Sequence, residues 1–279
     1  MTQRIIAHGR HSKSRSTAMR MPFLGVGSAF TDRRYWQSAA MLTADSGDSM
    51  MIDGGGDLRH SLSEFDPDIN NGNLTQFVRT FYVTHIHDDH IGHLQWIAFC
   101  TFFNPNAAKP TLVASRRLRD GLVETMREGW RHNHKIKGRD ATIDDYFSCV
   151  WVEDEMSFRW ADGVFWSVRR RHVAVPDWED KESFGLAFVA GGSKVFFTGD
   201  SVLDPVDVDD RYKWADLILQ EVETVKNPSE VHSHYNDLAA LPEEIKGKMW
   251  LYHYQPNPVQ TPEEDGFAGF VKKGQVFKL

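Results

Sequence analysis

The sequence predicts an α/β fold in which two strand-rich halves form a two-layer sheet core flanked by helices. Each half contains several short runs of β-branched and aromatic residues, the composition expected of strands. No linker, low-complexity segment or change of composition separates the halves after residue 21. A chain of 279 residues is long enough to bury a substantial core as a single unit. We therefore expect a basic N-terminal arm over residues 1–20 and one domain over residues 21–279.

The first half is expected to contain strands, a helix and a charged segment. Strands are predicted at residues 23–30, 39–43, 49–52, 77–83 and 110–114, and a helix at residues 94–103. The third strand ends in Asp53 followed by three glycines, which suits a tight turn with the backbone close to another group. The charged segment 116–140 predicts a pair of solvated helices, and a lid that brings cations to an anionic substrate is the alternative.

The second half repeats this pattern of short apolar runs. Strands are predicted at residues 164–168, 183–190, 194–198, 217–222 and 249–252. The Gly191-Gly192-Ser193 segment between the second and third of these strands predicts a hairpin turn.

Composition and charge exclude several classes of protein. The formal net charge is −7, from 32 basic and 39 acidic residues, which argues against a protein that coats nucleic acid. No apolar run approaches the roughly 18 residues that a membrane-spanning helix requires. The N-terminus lacks the apolar segment of a secretory signal, and Cys100 and Cys149 are expected to be reduced core residues. We therefore expect a cytoplasmic protein.

A dense cluster of imidazoles and carboxylates follows the fourth predicted strand. Residues 84–93 read Thr-His-Ile-His-Asp-Asp-His-Ile-Gly-His. Neutral imidazole nitrogens and carboxylate oxygens are the usual ligands of zinc, iron and manganese. His85 and His87 share a face of an extended segment, and Asp89 and His90 follow where the chain turns into a helix. The cluster therefore predicts a metal centre, with room for a second ion, at the carboxyl end of a strand.

The His-x-His-x-Asp-His pattern after a hydrophobic strand resembles that of the metallo-β-lactamase superfamily. The resemblance covers residues 21–279 and implies a four-layer αβ/βα sandwich with a dinuclear metal site at one edge of the sheets. We expect the two divalent ions to be zinc, with manganese as the alternative. His60 and His93 lie outside the implied ligand set and are interpreted as structural. The implied ligands are His85, His87 and His172 for one ion, Asp89, His90 and His253 for the other, and Asp200 as the bridge.

Three further features resemble ribonuclease Z and its phosphodiesterase relatives within that superfamily. The first is the Leu-Gly-x-Gly-Ser-Ala opening at residues 24–29. The second is His232-Ser233, at the place where the relatives carry a histidine that acts on the phosphate. His234 stands where the relatives have threonine, so both histidines remain candidate catalytic residues. The third is Glu221, which by resemblance orients the catalytic histidine.

Other parts of the chain are similar to ribonuclease Z-like phosphodiesterases of the anti-Pycsar type. The similarity implies a homodimer that hydrolyses 3′,5′-cyclic mononucleotides to linear monophosphates, with a small-molecule phosphodiester substrate and no stable nucleic-acid partner. Asp89 is a candidate catalytic base beside its metal, and Tyr35, Trp36 and Tyr254 are candidates for stacking on the nucleobase. The similar segments are residues 89–94, 144–147, 231–235 and 241–254.

Three alternative functions stay open at this point. The same ligands would serve a lactone or ester hydrolase of the same fold, although the His-Ser-His segment at residues 232–234 favours a phosphate substrate. A ribonuclease Z-like endonuclease that processes tRNA 3′ ends is disfavoured by the negative charge and by the lack of a Gly- and Pro-rich arm. The third alternative is a metal-binding protein without enzymatic activity.

Overall fold

Two mixed β-sheets form the frame of the protein. The computed structural model describes residues 3–4, 18–131, 135–136, 138–153, 156–173, 182–204 and 208–279. In chain order the strands are β1 (Gln3–Arg4), β2 (Met19–Gly25), β3 (Ala39–Ala44), β4 (Ser49–Ile52), β5 (Thr80–Val83), β6 (Thr111–Ser115), β7 (Lys135–Ile136), β8 (Arg139–Asp140), β9 (Ser148–Val152), β10 (Ser157–Trp160), β11 (Gly163–Arg171), β12 (Glu182–Ala190), β13 (Ser193–Phe197), β14 (Leu217–Glu221), β15 (Met249–Tyr252), β16 (Gly269–Phe270) and β17 (Val276–Lys278). The helices are α1 (Leu58–Phe65), α2 (Leu74–Phe77), α3 (Asp88–Ile91), α4 (Leu94–Phe102), α5 (Arg119–Arg131), α6 (Ile143–Tyr146), α7 (Tyr235–Ala239) and α8 (Glu243–Lys246).

Each half of the chain builds one sheet. The N-terminal sheet has the order β17-β2-β3-β4-β5-β6-β9, antiparallel up to β4 and parallel from β4 onward. The C-terminal sheet has the order β1-β10-β11-β12-β13-β14-β15-β16, antiparallel from β10 to β13 and parallel from β13 onward. Each short terminal strand joins the sheet that the other half of the chain builds: β1 pairs with β10, and β17 pairs with β2.

Alternating side chains along β5 show how the layers pack. Tyr82 is buried in the core between the sheets, and its hydroxyl donates a hydrogen bond of 2.9 Å to Ser167 Oγ in β11. Phe81 and Val83 point to the opposite face, where they pack with α1, α4 and α5. Helices α7 and α8 lie in the crossover between the parallel strands β14 and β15. The predicted α/β sandwich of two sheets with helices outside them is confirmed, and no helix in the described ranges is long and apolar enough to span a membrane.

Three predictions in the first half of the chain differ from the structure by more than one residue. Strand β2 ends at Gly25, because the chain there leaves β3 and approaches the backbone of residues 36–37 so closely that a Cβ would lie 1.9 Å from the Gln37 carbonyl oxygen. Residues 74–77 form α2, so β5 begins only at Thr80. The second helix predicted within residues 116–140 is wrong: a 3₁₀ turn and α5 lead into the β7–β8 hairpin, whose Gly138 has a φ of +84°.

Most of the predicted N-terminal arm lies outside the described residues. Its first described part is β1, which adds a parallel pair to the edge strand β10 of the C-terminal sheet. Its last residues belong to β2, which begins at Met19. The division of the chain into an arm and a domain stays a prediction.

Both cysteines are free, as predicted, but they are only partly buried and not core residues. Burial, helped by the nearby Asp144 carboxylate, raises the pKa of Cys149 to about 12, and burial also raises the pKa of Cys100. The thiolate is the reactive form, so a pKa of about 12 leaves roughly one Cys149 in 10,000 ionised at pH 8.

We expect iodoacetamide at pH 8 to alkylate Cys149 slowly in the folded protein and completely in urea, as followed by mass spectrometry. The urea sample is the control for reagent quality. Alkylation of Cys149 at the same rate in both samples would contradict the raised pKa.

Candidate metal centre

The ends of strands from both sheets meet at one edge of the sandwich. His85 and His87 follow β5 of the N-terminal sheet, and Asp89 and His90 lie in the short helix α3 that comes next. The C-terminal sheet contributes residues at or just after the ends of four strands. These are His172 after β11, Asp200 after β13, Glu221 at the end of β14 and His253 after β15.

One group of imidazoles consists of His85, His87 and His172, whose nearest ring nitrogens all lie within 4.8 Å of one another. His172 Nε2 is 3.0 Å from His87 Nδ1. Burial and the neighbouring imidazoles lower the pKa of His85 well below its usual range, and burial lowers that of His172 to about 3. These rings are therefore neutral at neutral pH, the form that offers a lone pair to a metal.

The second group consists of Asp89, His90, Asp200 and His253, again with donor atoms within 4.8 Å of one another. Asp89 Oδ2 lies 3.2 Å from the Nε2 atoms of both His90 and His253. Burial opposes charge on the His90 ring, but the Asp200 and Asp89 carboxylates outweigh it and raise the pKa of His90. The group thus holds two imidazoles and two carboxylates in a buried site.

Asp200, a member of the second group, also lies close to the first. Its Oδ2 is 3.2 Å from His90 Nε2, 3.3 Å from His253 Nε2 and 3.8 Å from His85 Nε2. Burial would raise the pKa of this carboxyl, but the His253 and His90 rings hold it well below its usual range. A carboxylate in this place contacts ligands of both groups.

The hydrogen bonds around the groups leave ring nitrogens facing the centre. Asp53 accepts from the Thr84 backbone N–H and hydroxyl, at 2.8 and 2.7 Å, and lies 2.9 Å from His90 Nδ1. His90 Nδ1–H therefore donates to Asp53, and His85 Nδ1–H, 3.0 Å from Thr84 Oγ1, donates to that hydroxyl. In both rings the Nε2 lone pair is left for a metal, which is how supporting carboxylates commonly orient metal-bound histidines.

The donor set fits divalent metal ions. The Nε2 atoms of His85 and His90 and Oδ1 of Asp200 are buried and have no hydrogen-bond partner among the described residues. Leaving such atoms buried and unsatisfied is costly, whereas a cation between them would satisfy them together. Imidazole nitrogens with carboxylate oxygens match the ligand preference of zinc, and also of manganese.

Beside the second group, Glu221 and His232 form a hydrogen-bonded pair. His232 Nδ1 is 3.1 Å from Glu221 Oε2 and 3.6 Å from Asp200 Oδ2. Burial disfavours a charged ring, but the Glu221 carboxylate outweighs it and raises the pKa of His232 to about 9. The His232 side chain remains 19% exposed while Glu221 is fully buried. Since His87 is exposed as well, we call the solvent-accessible side of the site at His87 and His232 its opening.

His234 is not brought to this cluster. It caps the N-terminus of α7, where its Nδ1 accepts from the Asn236 backbone N–H at 3.3 Å and its Nε2–H donates to the Val225 carbonyl at 2.8 Å. With both ring nitrogens engaged locally, His234 has a structural environment.

The structure shows the contacts of three other residues named in the sequence analysis, Tyr254, Trp36 and His60. Tyr254 is buried and donates its hydroxyl to the Val271 carbonyl, so its predicted stacking on a nucleobase is wrong. Trp36 stacks on the ring of His60 and donates to Glu64.

Asp53 was not among the predicted functional residues. Its position at the end of β4, before the glycines, is the signal that could have identified it.

Comparison with known proteins places the chain in a family. The family model described as "Anti-Pycsar protein Apyc1" matches residues 19–277. The chain belongs to the anti-Pycsar Apyc1 family. An anti-Pycsar protein Apyc1 from Paenibacillus sp. (strain J14) is 25% identical over 266 residues, which cover 94% of this chain and 100% of that protein.

Solved structures agree with the assignment of this Apyc1 family member to the metallo-β-lactamase fold. The metallo-β-lactamase fold protein YhfI from Bacillus subtilis matches with a TM-score of 0.68 and 14% identity, over 94% of this chain and 99% of that one. A diphosphatase of the PhnP family matches with a TM-score of 0.68 and 15% identity, over 94% and 98%. The predicted family and fold are confirmed, and so is the predicted class of metal-dependent hydrolase, which the buried His and Asp groups support.

Proposed function

We propose that this Apyc1 family member is a dinuclear-metal phosphodiesterase that hydrolyses 3′,5′-cyclic mononucleotides to linear monophosphates. The observation that carries the proposal is the Glu221–His232 pair, placed beside two groups of metal-type ligands and next to the opening of the site. Hydrolysis of a phosphodiester needs charge stabilisation on the phosphate and a proton for the leaving oxygen. The two ligand groups would hold the ions that stabilise the charge, and the Glu221–His232 pair would supply the proton.

A third set of donor atoms also lies within 4.8 Å of one another and overlaps the second group; it consists of Asp200, Glu221, His232 and His253. The metal ligands are proposed to act in the first two groups. One ion would be held by His85, His87 and His172, and the other by Asp89, His90 and His253, with Asp200 shared. When bound, two divalent ions would lower the pKa of a bound water and draw charge from the phosphate oxygens. Asp89 is retained as the candidate base, because its carboxylate lies in the second group.

His232 is proposed as the residue that serves the leaving group. Its Nδ1–H is directed to Glu221, which leaves Nε2 to hold or deliver a proton to the leaving ribose oxygen. Glu221 is itself fixed, because its Oε1 accepts from the backbone N–H groups of Ser233 at 2.7 Å and Ser201 at 3.3 Å. A carboxylate held in this way fixes the orientation of the ring.

The choice of substrate rests on the family. Membership of the anti-Pycsar Apyc1 family favours a cyclic mononucleotide, and one solved protein of the same fold is a diphosphatase. A lactone or ester hydrolase would not require the Glu221–His232 pair. The net charge of −7 disfavours a tRNA substrate. Zinc as the metal and a homodimeric state are part of the proposal, and metal analysis and light scattering would measure them.

The test is turnover of a panel of purine and pyrimidine 3′,5′-cyclic mononucleotides with zinc or manganese supplied. An acyl homoserine lactone and an unprocessed tRNA serve as comparison substrates, and metal-depleted protein serves as the control. We expect linear monophosphates to form from cyclic nucleotides only. Opening of the lactone without any cyclic nucleotide turnover would contradict the proposal and indicate an ester hydrolase.

A further inference from the structure

His93 ties the turn after β4 to the helical segment that carries the second ligand group. Its Nδ1–H donates a short hydrogen bond to the Gly54 carbonyl oxygen, and its backbone N–H lies 3.5 Å from the same oxygen. The Gly54 N–H in turn donates to the His90 carbonyl oxygen at 3.1 Å. Both polar groups of Gly54 are thus held by the segment between His90 and His93.

The turn held in this way positions Asp53. Asp53 has a φ of +56° and Gly54 a φ of +150°, so the chain passes through left-handed backbone at two successive residues. A residue other than glycine is strained in that region and persists there only where its surroundings enforce the conformation. The Asp53 carboxylate is the group that accepts from His90 Nδ1 and so sets the direction of His90 Nε2.

The identity of residue 93 is not explained by packing alone. The side chain is buried against Phe81, with ring centroids 5.7 Å apart. Its Nε2 is buried and has no hydrogen-bond partner among the described residues. An apolar residue would fill the space without the cost of burying an unsatisfied nitrogen. A histidine at this position is therefore explained by the hydrogen bond from its other ring nitrogen, Nδ1, to the Gly54 carbonyl oxygen.

We propose that His93 is a positioning residue of the metal centre, acting through Gly54 and Asp53 to keep His90 Nε2 directed at the second ligand group. The proposal rests on metal binding at this site, as the proposed function does, but not on the identity of the substrate. Its effect should appear in the affinity for metal, because residues that support metal ligands typically change that affinity by about 10- to 100-fold.

Three variants separate the hydrogen bond from the space that the ring fills. His93→Asn places an amide N–H close to where Nδ1–H stands, His93→Gln places it nearer Nε2, and His93→Leu removes it. Zinc affinity is measured by competition with a chromophoric chelator, and the melting temperature is recorded in parallel without metal. We expect Leu and Gln to weaken one of the two zinc equivalents by about tenfold or more, and Asn to restore most of the affinity.

The outcomes distinguish the proposal from a packing role and from failure of the proposed function. Wild-type affinity in all three variants, with a lower melting temperature in some, would make His93 structural and overturn the proposal while leaving the metal site intact. If the Leu variant does not fold, the Asn and Gln pair decides, since both retain a polar side chain. Absence of zinc binding by the wild-type protein would overturn both proposals.

Discussion

Asp200→Ala is expected to abolish metal loading and to lower phosphodiester turnover by on the order of a thousandfold or more, because the ions supply several kcal/mol of transition-state stabilisation. Among the described residues, Asp200 is the carboxylate that lies close to ligands of both groups, at 3.2 Å from His90, 3.3 Å from His253 and 3.8 Å from His85. Its loss also removes one of the negative charges close to the buried imidazoles. Metal content after dialysis and turnover of a cyclic nucleotide measure the two effects.

Asp88→Ala is the matched control for that variant. Asp88 lies in the same motif, beside Asp89, but it is exposed and belongs to none of the ligand groups found among the described residues. We expect its metal content and turnover to stay near those of the wild type. Two tightly held ions in the Asp200→Ala protein would show that the bridging role has been assigned to the wrong carboxylate.

His232→Ala is expected to lower turnover by on the order of a hundredfold or more while leaving metal content unchanged, since general acid catalysis contributes factors of that size. The ring lies against Glu221 and borders the opening, outside the two groups proposed as ligands. Single-turnover rates at saturating metal, with metal content determined on the same samples, give the measurement.

His234→Ala provides the comparison. His234 is two residues away and also a histidine, but its nitrogens bond to the Val225 carbonyl and the Asn236 N–H. We expect turnover within a few-fold of the wild type and a loss of about 1 kcal/mol in the free energy of unfolding, the usual cost of removing a helix cap. Equal loss of turnover in both variants would indicate that the His-Ser-His segment acts as a unit, and metal loss in His232→Ala would make that residue a ligand.

Much of the fold could be predicted from the sequence because its central strands are buried and apolar. Strands β4 and β15 were predicted at their observed limits, and β12 nearly so. Some of the elements that were missed or misjudged are short and polar, such as the β7–β8 hairpin, which looks helical in sequence because it lies in a segment rich in Lys and Arg. Their conformation depends on a glycine turn and on tertiary contacts that periodicity does not encode.

The candidate site could be predicted where the types of side chain alone indicate metal binding. The seven ligand candidates were named from the sequence, and the structure brings all of them to one edge of the sheets. The roles of His232 and His234 could not be separated, because neighbouring histidines differ only in which way the backbone directs them. Asp53 and His93 went unrecognised as support for His90, since that function arises from hydrogen bonds between segments distant in sequence.

Backbone strain is retained at one residue of the second ligand group. His253 has left-handed backbone, with a φ of +66°. That conformation costs a residue other than glycine about 1 kcal/mol or more. Glycine would relieve this strain, partly offset by its greater freedom in the unfolded chain, but it would remove one of the imidazoles of the group. The strained backbone at position 253 therefore accompanies the placement of an imidazole at the end of β15.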